Sequence, residues 1–265
     1  MPTPSTTAQA IIYNRVPRVT ADFWLIKLMA VTMGETAADY LNVQMGLGLT
    51  ATSLIMSAVL ALALAWQFAQ KRYVPAAYWL SVVLISIVGT LITDNLVDNF
   101  HVPLLDTTIA FSLALALTFL LWFRTEGTLS IHSIFTDRRE AFYWLAILFT
   151  FALGTAAGDL VAEQFALGYL ATGILFGMII VSLTIGYFFL GLDPILGFWL
   201  VYILTRPLGA SLGDLLSQPV RYGGLGLGTI TTSAIFLAAI VLIVIFMSLR
   251  HEGEEIDQGR VVQDL

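Results

Sequence analysis

A pattern of seventeen residues that occurs four times restricts this chain to a repeated architecture. Each copy starts with an aromatic residue, Trp and Leu, has Gly ten residues after the Trp, and has Asp five residues after that Gly. The copies are FWLIKLMAVTMGETAAD, YWLSVVLISIVGTLITD, YWLAILFTFALGTAAGD and FWLVYILTRPLGASLGD. Trp24 and Trp144 are 120 residues apart, as are Trp79 and Trp199. The two halves of the chain are therefore duplicates.

Each copy lies in one of eight apolar stretches, and a stretch of about 20 apolar residues can cross a hydrocarbon core of about 30 Å as a helix. The stretches lie at about residues 22–39, 47–70, 75–94, 104–123, 140–159, 165–189, 193–214 and 225–249. With 58% hydrophobic and 11% charged residues, the composition is that of a polytopic membrane protein. We predict an all-α fold with eight transmembrane helices, built from four tandem two-helix hairpins that all enter the membrane in the same direction.

Basic residues in the predicted loops set the orientation, because cytoplasmic loops carry an excess of Lys and Arg. Nine of them fall on the side of both termini, and only Arg221 falls on the other, so both termini are predicted to be cytoplasmic. The predicted divisions are a cytoplasmic N-terminal segment 1–21, a first half 22–123, a cytoplasmic linker 124–139, a second half 140–249 and an acidic, solvated cytoplasmic tail 250–265.

The repeated aromatic-Trp-Leu, Gly and Asp positions resemble a known family of bacterial inner-membrane, or membrane-anchored, proteins. Its members have four tandem copies of a repeat of unknown function, each with two transmembrane regions and a characteristic Trp. The resemblance covers about residues 20–249. It implies a multi-pass protein of the bacterial inner membrane in contact with the lipid bilayer, and it implies no activity.

The repeated carboxylates are the first candidates for a functional site. If the repeats surround a common axis, they form a ring at the outer face that attracts cations; its members are Asp39, Asp94, Asp159 and Asp214. Glu35 is particular to the first repeat and lies one helical turn before Asp39, so both carboxylates share a helix face. The alternative is that Gly and Asp only end each helix and begin a turn.

Further oxygen donors follow four residues after the shared Asp, namely Asp98, Glu163 and Gln218, with Thr93, Asn95 and Asp106 nearby. Such ligands suit a hard cation such as Mg²⁺, Ca²⁺ or Mn²⁺. The predicted metal ligands are Glu35, Asp39, Asp94, Asp159 and Asp214. The alternative for Asp98, Asp106 and Glu163 is that they are solvated loop residues.

Two basic residues lie within predicted spans. Arg206 lies near the middle of the seventh stretch, where a charge usually faces a bundle interior and has a partner, and we expect that partner to be Glu35 or Asp39. Pro207 is expected to kink or break the helix directly after it. Lys27 lies nearer the cytoplasmic interface, where snorkelling to the membrane surface accounts for it as well as a function does.

The remaining repeated positions favour structural roles. Indoles suit interfacial anchors or packing, and glycines allow helices to approach closely. These positions are Trp24, Trp79, Trp144, Trp199, Gly34, Gly89, Gly154 and Gly209. The second helices share Thr52, Thr107 and Thr172, each thirteen residues after its Asp, whereas the fourth repeat has a Gly-rich loop with two extra residues. We expect that loop to differ from the others.

The chain has no cysteine, three histidines and no hydrolase, metalloprotease or P-loop motif, so we expect neither an enzyme nor a cofactor. Its net charge of −6 does not favour nucleic-acid binding. The leading hypothesis is a secondary transporter of a hard divalent cation, manganese-like, coupled to protons through these carboxylates, with Arg206 neutralising the empty site. The alternatives are a cation channel with a pseudo-fourfold Asp ring and a membrane scaffold or sensor without transport. The sequence leaves a homo-oligomer open.

Overall fold

The computed structural model describes residues 14–263, and for Gln44 and residues 250–263 it describes the backbone alone. Every regular element in these residues is helical, and the prediction of eight long helices from four two-helix repeats is confirmed. The helices are α1 Ala21–Asp39, α2 Leu49–Ala69, α3 Pro75–Asp94, α4 Leu104–Glu126, α5 Asp137–Asp159, α6 Tyr169–Phe189, α7 Pro194–Ser217 and α8 Thr229–Gln263.

Local sequence determines where several of these helices begin. The hydroxyls of Thr20 and Thr136 accept hydrogen bonds from the backbone amide three residues later, and the Asp193 carboxylate caps α7 in the same way. Pro75 and Pro194 occupy the first turn of their helices, where a missing N–H costs nothing. The odd-numbered helices therefore start at positions set by their own sequence.

The odd-numbered helices form a closed inner ring, in which α1 contacts α3, α3 contacts α5, α5 contacts α7 and α7 returns to α1. Each even-numbered helix lies outside this ring and packs mainly against the odd helix of the following repeat. These pairs are α2 with α3, α4 with α5, α6 with α7, and α8 with α1. The repeat is therefore not a hairpin packed on itself, and α8 completes the ring by packing against the first helix.

Seven of the eight described helices, all except α1, are long and apolar enough to cross a membrane. α1 is the exception because it carries Asp22, Lys27, Glu35 and Asp39, and it is enclosed by α3, α7 and α8. The outer helices expose apolar side chains such as Leu54, which is 69% exposed. Exposed apolar surface of this extent is typical of contact with lipid.

Helical backbone continues beyond each of the repeated aspartates. After the first three, the helical backbone continues for five residues as a π-helical turn, at Tyr40–Gln44, Asn95–Asn99 and Leu160–Gln164. Asp214 lies inside α7, which runs to Ser217 and is followed by a 3₁₀ turn at Val220–Tyr222. The first three odd helices therefore end at their aspartate as α-helices and pass into a π-helical turn, so the helix-ending alternative is wrong only for Asp214. The expected difference of the fourth loop is confirmed.

The second helix of the fourth repeat begins later than its sequence suggests. In the first three repeats the shared Thr donates its backbone N–H to the residue just before the helix, and Thr232 N does the same to Gly228 O. Thr232 is thus the fourth member of the set that contains Thr52, Thr107 and Thr172. It lies five residues further from its aspartate than they do, so the expectation of two extra residues is wrong.

The predicted terminal segments are described in part. Residues 1–13 of the N-terminal segment lie outside the described residues, whereas Asn14, Arg15 and Val16 are buried. The backbone of the predicted acidic tail continues α8 as far as Gln263. The sequence also predicts that this tail is solvated. That prediction concerns its side chains, which the structure does not describe.

Candidate functional site

One end of the inner ring is closed by aromatic side chains, and we call it the tryptophan end. In each repeat the aromatic residue before the Trp contacts the Trp of the next repeat, with ring centroids 5.5 to 6.2 Å apart. The pairs are Phe23 with Trp79, Tyr78 with Trp144, Tyr143 with Trp199, and Phe198 with Trp24. The repeated tryptophans therefore pack between repeats, and they connect the fourth repeat to the first.

Further along the ring, the repeated glycines allow the odd helices to approach closely. Each glycine receives the side chain that lies three positions before the glycine of the next repeat, and an added Cβ would lie only 2.0 to 2.7 Å from that side chain. The pairs are Gly34 with Ser86, Gly89 with Phe151, Gly154 with Arg206, and Gly209 with Val31. Arg206 therefore occupies a position that Val31, Ser86 and Phe151 fill in the other repeats.

Arg206 crosses the interior of the ring and binds all three other odd helices. Its Nη2 donates to Glu35 Oε2 at 2.9 Å, to Thr155 Oγ1 at 2.8 Å, and also to Thr90 Oγ1. Thr90 Oγ1 in turn donates to the same Glu35 oxygen at 3.2 Å. The side chains of Arg206 and Glu35 are 0% and 7% exposed. One guanidinium nitrogen thus joins α1, α3, α5 and α7 in a buried environment.

The acceptors of Arg206 come from one position of the repeat. Glu35, Thr90, Thr155 and Ala210 each follow the repeated glycine directly, and the first three contact Arg206. The sequence showed that Glu35 is particular to the first repeat, and the structure selects it over Asp39 as the partner of Arg206. The roles of Thr90 and Thr155 were missed, although their shared position with Glu35 was visible in the repeat.

Pro207 does not break α7, which is continuous from Pro194 to Ser217, so the expectation of a break is wrong. An added Cβ at Gly154 would lie 3.1 Å from Pro207 Cδ, and one at Gly158 would lie 3.5 Å from Pro207 Cβ. The proline therefore packs against the small residues of α5. It removes one backbone donor beside the charge without ending the helix.

The other end of the ring carries the repeated carboxylates, and we call it the aspartate end. Each of the four aspartates lies within electrostatic range of Glu35, which is one turn nearer the tryptophan end. Asp94 and Asp159 also interact with Arg206. Asp214 is the most enclosed, at 8% exposure. The structure therefore brings the predicted ring members to one end of the molecule; they are Asp39, Asp94, Asp159 and Asp214.

The carboxylates at this end are not arranged around a single point. Asp39 Oδ2 accepts a hydrogen bond from Gln218 Nε2 at 3.5 Å. In the part of the chain that the structure describes, no three Asp, Glu or His side chains form a group that could hold one metal ion. The assignment of Glu35 and the aspartates as metal ligands stays a prediction.

The additional oxygen donors have different environments. Asp98, Asp106 and Glu163 are exposed. Thr93 Oγ1 donates to the carbonyls of Gly89 at 3.2 Å and Ala152 at 3.0 Å, and the Asn95 amide donates to groups on α2 and α3. Thr93 and Asn95 therefore connect helices, whereas the three exposed carboxylates lie at the rim of the aspartate end.

Lys27 is enclosed within the ring, on the tryptophan side of Arg206. It is 0% exposed, and its Nζ donates to the Tyr202 carbonyl at 2.9 Å and also to Thr205 Oγ1. The side chain therefore turns inward instead of reaching a membrane surface, and the snorkelling interpretation is wrong.

Comparison with protein families gives a match along most of the chain. The model of the family described as Repeat of Unknown Function (DUF347) matches four times, at residues 23–73, 77–128, 142–191 and 197–252. The chain belongs to this repeat family. No curated protein and no solved structure matches the chain significantly. This match confirms the four tandem repeats that the resemblance in sequence implied. The family description names no activity.

A segment that precedes the first DUF347 repeat is held against the start of α5, near the tryptophan end. Arg15 Nη1 lies 2.5 Å from Asp137 Oδ1 and 2.6 Å from Glu140 Oε2. Burial acts to lower the pKa of Arg15, but these two hydrogen bonds outweigh it, so the pKa is raised above its ordinary value. Glu140 also accepts from the side chains of Gln67 and Trp144. The segment Asn14–Val16 is thereby held against the repeats.

A separate apolar cavity of about 450 Å³ lies on the outside of the inner ring, between α4 and α7. Leu115, Phe119 and Trp199 line it, and Asp193 at its edge caps α7. None of the carboxylates of the aspartate end lines this cavity. The cavity is therefore separate from the interior of the inner ring, which holds the candidate site.

Proposed function

We propose that this multi-pass membrane protein is a secondary transporter of a hard cation, divalent and manganese-like, that exchanges its substrate for protons along the axis of the inner ring. The observation that carries the proposal is the buried Arg206–Glu35 pair, which lies across that axis directly beside the ring of aspartates. In this proposal the protein moves its substrate across the membrane and catalyses no covalent reaction. It also includes residence in the bacterial inner membrane with both termini in the cytoplasm.

The charges of the interior support a cationic substrate. Glu35 lies within electrostatic range of all four aspartates, and each aspartate lies within range of its neighbours in the ring. Among the described residues Arg206 is the basic group that interacts with Glu35 and with two of these aspartates, Asp94 and Asp159. Carboxylates brought together away from water repel one another unless protons or cations compensate them. Protons and a metal ion would compete for these oxygens, which is the basis of exchange.

The chemistry of the donors supports a hard cation. The charged and hydroxyl groups around Arg206 are carboxylate and threonine oxygens, and the chain contains no cysteine. Hard divalent ions prefer such oxygen ligands, whereas soft ions prefer sulfur. Because the carboxylates do not converge in this state, metal binding requires the side chains at the aspartate end to rearrange.

The position of Arg206 supports a gated transporter over an open pore. Its fully buried side chain extends from α7 to Thr90, Thr155 and Glu35 on the other three inner helices, so it blocks the axis. Arginine does not lose its charge in proteins, so it remains a fixed counter-ion for Glu35 when no substrate is present. A substrate cation that binds the Glu35 carboxylate must displace Arg206 from it.

The test is Mn²⁺, Mg²⁺ and Ca²⁺ uptake into proteoliposomes with an imposed proton gradient. We expect saturable, proton-linked uptake by the wild type and a loss of at least about tenfold in Asp39→Asn and Arg206→Lys. The control Asp22→Asn, an exposed carboxylate in the first turn of α1 at the tryptophan end, should transport normally. If Asp39→Asn or Arg206→Lys leaves the flux intact, the site assignment is wrong.

Two other outcomes would replace the proposal. Ohmic single-channel current would favour a cation channel with the aspartate ring at its mouth. No flux of any tested solute, together with a stable partner in a pull-down, would favour a scaffold or sensor. A thermal-shift panel of metal ions and small organic solutes against wild type and Asp39→Asn would identify the substrate class, because a ligand stabilises only the protein that binds it.

A further inference from the structure

The cavity between α4 and α7 departs from the symmetry of the two halves. Because the halves are duplicates, α8 and α3 are the equivalent pair of helices, and these two pack directly against each other. Between α4 and α7 the structure instead has a space of about 450 Å³. Sites for small molecules in proteins usually measure about 300–1,000 Å³. The cavity is therefore large enough to hold a ligand.

The walls of the cavity favour an apolar occupant. Leu115 and Trp199 form part of its buried floor. The polar groups of the walls already have partners, because Trp199 Nε1 donates to the Leu129 carbonyl at 2.9 Å and Ser112 Oγ donates to the Thr108 carbonyl at 2.7 Å. Apolar cavities of this kind bind apolar molecules in preference to water.

The length and position of the cavity match one leaflet of a membrane. It extends along α7 from Asp193 to Ile203, ten residues apart, which corresponds to about 15 Å at a rise of about 1.5 Å per residue. This is half of a hydrocarbon core of about 30 Å. Ser112, Ala116 and Leu196 line the cavity and are exposed, so it is open on the outer surface of the protein. An acyl chain of the adjacent leaflet can therefore enter it from the side.

Asp193 gives the entrance of the cavity a negative charge. Its Oδ1 caps α7 by accepting from Ile195 N at 3.0 Å and Leu196 N at 2.9 Å. In the described part of the chain no group donates to Oδ2 and no basic side chain pairs with this exposed carboxylate. A carboxylate at that position attracts an ammonium group and repels an anionic one.

We propose that this cavity is a lipid-binding site, which takes one acyl chain of a phospholipid whose headgroup carries an ammonium group. The chain lies along α7 on the floor that contains Trp199, and the ammonium group lies against Asp193 at the tryptophan end. The site is outside the inner ring. It is therefore independent of the proposed cation transport.

The experiment uses the full chain in vesicles that contain a small fraction of phospholipid with brominated acyl chains, which quench tryptophan fluorescence on contact. One series contains brominated phosphatidylethanolamine, and the other contains anionic phosphatidylglycerol with the same chains. All proteins carry Trp66→Phe, because Trp66 is 45% exposed and would report on bulk lipid. We expect stronger quenching by the ethanolamine lipid, because its chain reaches Trp199.

Two kinds of variant separate the chain from the headgroup. Ala116→Phe fills the cavity and should remove the difference between the two lipids, whereas the matched control Leu117→Phe, which is 54% exposed and does not line the cavity, should keep it. Asp193→Asn retains a residue that caps helices well but removes the charge. It should reduce the preference for the ethanolamine lipid by about two- to fivefold, as expected for one exposed charge pair.

The outcomes that would overturn the proposal are specific. If Ala116→Phe is quenched as strongly as its parent, no acyl chain occupies the cavity. If the two lipids quench the parent equally, or the anionic lipid quenches it more, the choice of headgroup is wrong. If Ala116→Phe does not fold, Ser112→Phe, which changes the same wall, decides the question.

Discussion

Arg206 Nη2 and Glu35 Oε2 lie 2.9 Å apart in the interior of the ring, although 171 residues separate them in the chain. The first and last odd helices thereby meet at a charge pair. Thr90 and Thr155 from the two intervening odd helices accept further hydrogen bonds from the same Arg206 nitrogen. The pair therefore serves as a connection among all four repeats as well as a candidate substrate gate.

Glu35→Gln should destabilise the protein strongly, because it leaves the Arg206 charge buried without a carboxylate partner. We expect a loss of about 3–5 kcal/mol in the free energy of unfolding, measured by denaturant titration in micelles. Glu163→Gln, which removes an exposed carboxylate, is the control and should have little effect. The double variant Glu35→Gln with Arg206→Met should be more stable than the sum of the single effects predicts. Simple additivity would show that the two side chains are not coupled.

Gly154→Ala should destabilise the inner ring by about 1–3 kcal/mol through overpacking, because the new methyl group would lie 2.2 Å from Arg206 Cγ. Gly177→Ala is a matched control in the outer helix α6, where the nearest atom would be Leu208 Cδ1 at 4.0 Å. That change should be neutral or slightly stabilising, because Ala favours a helix over Gly. Equal melting temperatures for the two variants would contradict the close approach of α5 and α7.

Ala166→Gly should stabilise the loop before α6. Ala166 has a φ of 55°, in the left-handed region that costs a non-glycine residue about 1 kcal/mol, whereas the same position of the first repeat is Gly46 with a φ of 66°. A rise in melting temperature is expected. Gly46→Ala should lower it by a similar amount, and a rise in that variant would be inconsistent with the described loop conformation.

Glu140→Gln should loosen the segment Asn14–Val16, because Arg15 then loses its fully buried partner. Asp137→Asn should have a smaller effect, since that carboxylate is 80% exposed and exposed ion pairs contribute only about 0–1 kcal/mol. Proteolysis of the N-terminal segment under native conditions measures the difference. Equal cleavage rates in the two variants would show that the buried pair does not hold this segment.

The absence of cysteine makes labelling of single introduced thiols a direct test of orientation. Val43, the site of the first variant, Val43→Cys, lies at the aspartate end and is 71% exposed. His132, the site of the second variant, His132→Cys, is an exposed residue of the turn between α4 and α5. In intact bacterial cells an impermeant maleimide should label the first and not the second. The opposite labelling would invert the predicted topology and place the aspartate end in the cytoplasm.

Much of this architecture follows from the sequence because its determinants are local or periodic. Long apolar stretches predict helices, caps and prolines set their starts, and four equally spaced copies predict four equivalent units. The same repeat shows that Glu35 and Arg206 are the residues that depart from equivalence. It did not show that helical backbone continues beyond the aspartates, because Gly and Asp are also typical of helix ends and turns.

What the sequence alone determined is the helical, repeated, membrane-type chain and the charges that it places in its apolar stretches. Only the tertiary structure decided that each even helix packs on the next repeat, that Lys27 turns inward, and that Glu35 instead of Asp39 meets Arg206. These outcomes depend on contacts between helices far apart in the chain. The glycines set how closely those helices approach, and that closeness selects which side chain lies opposite another.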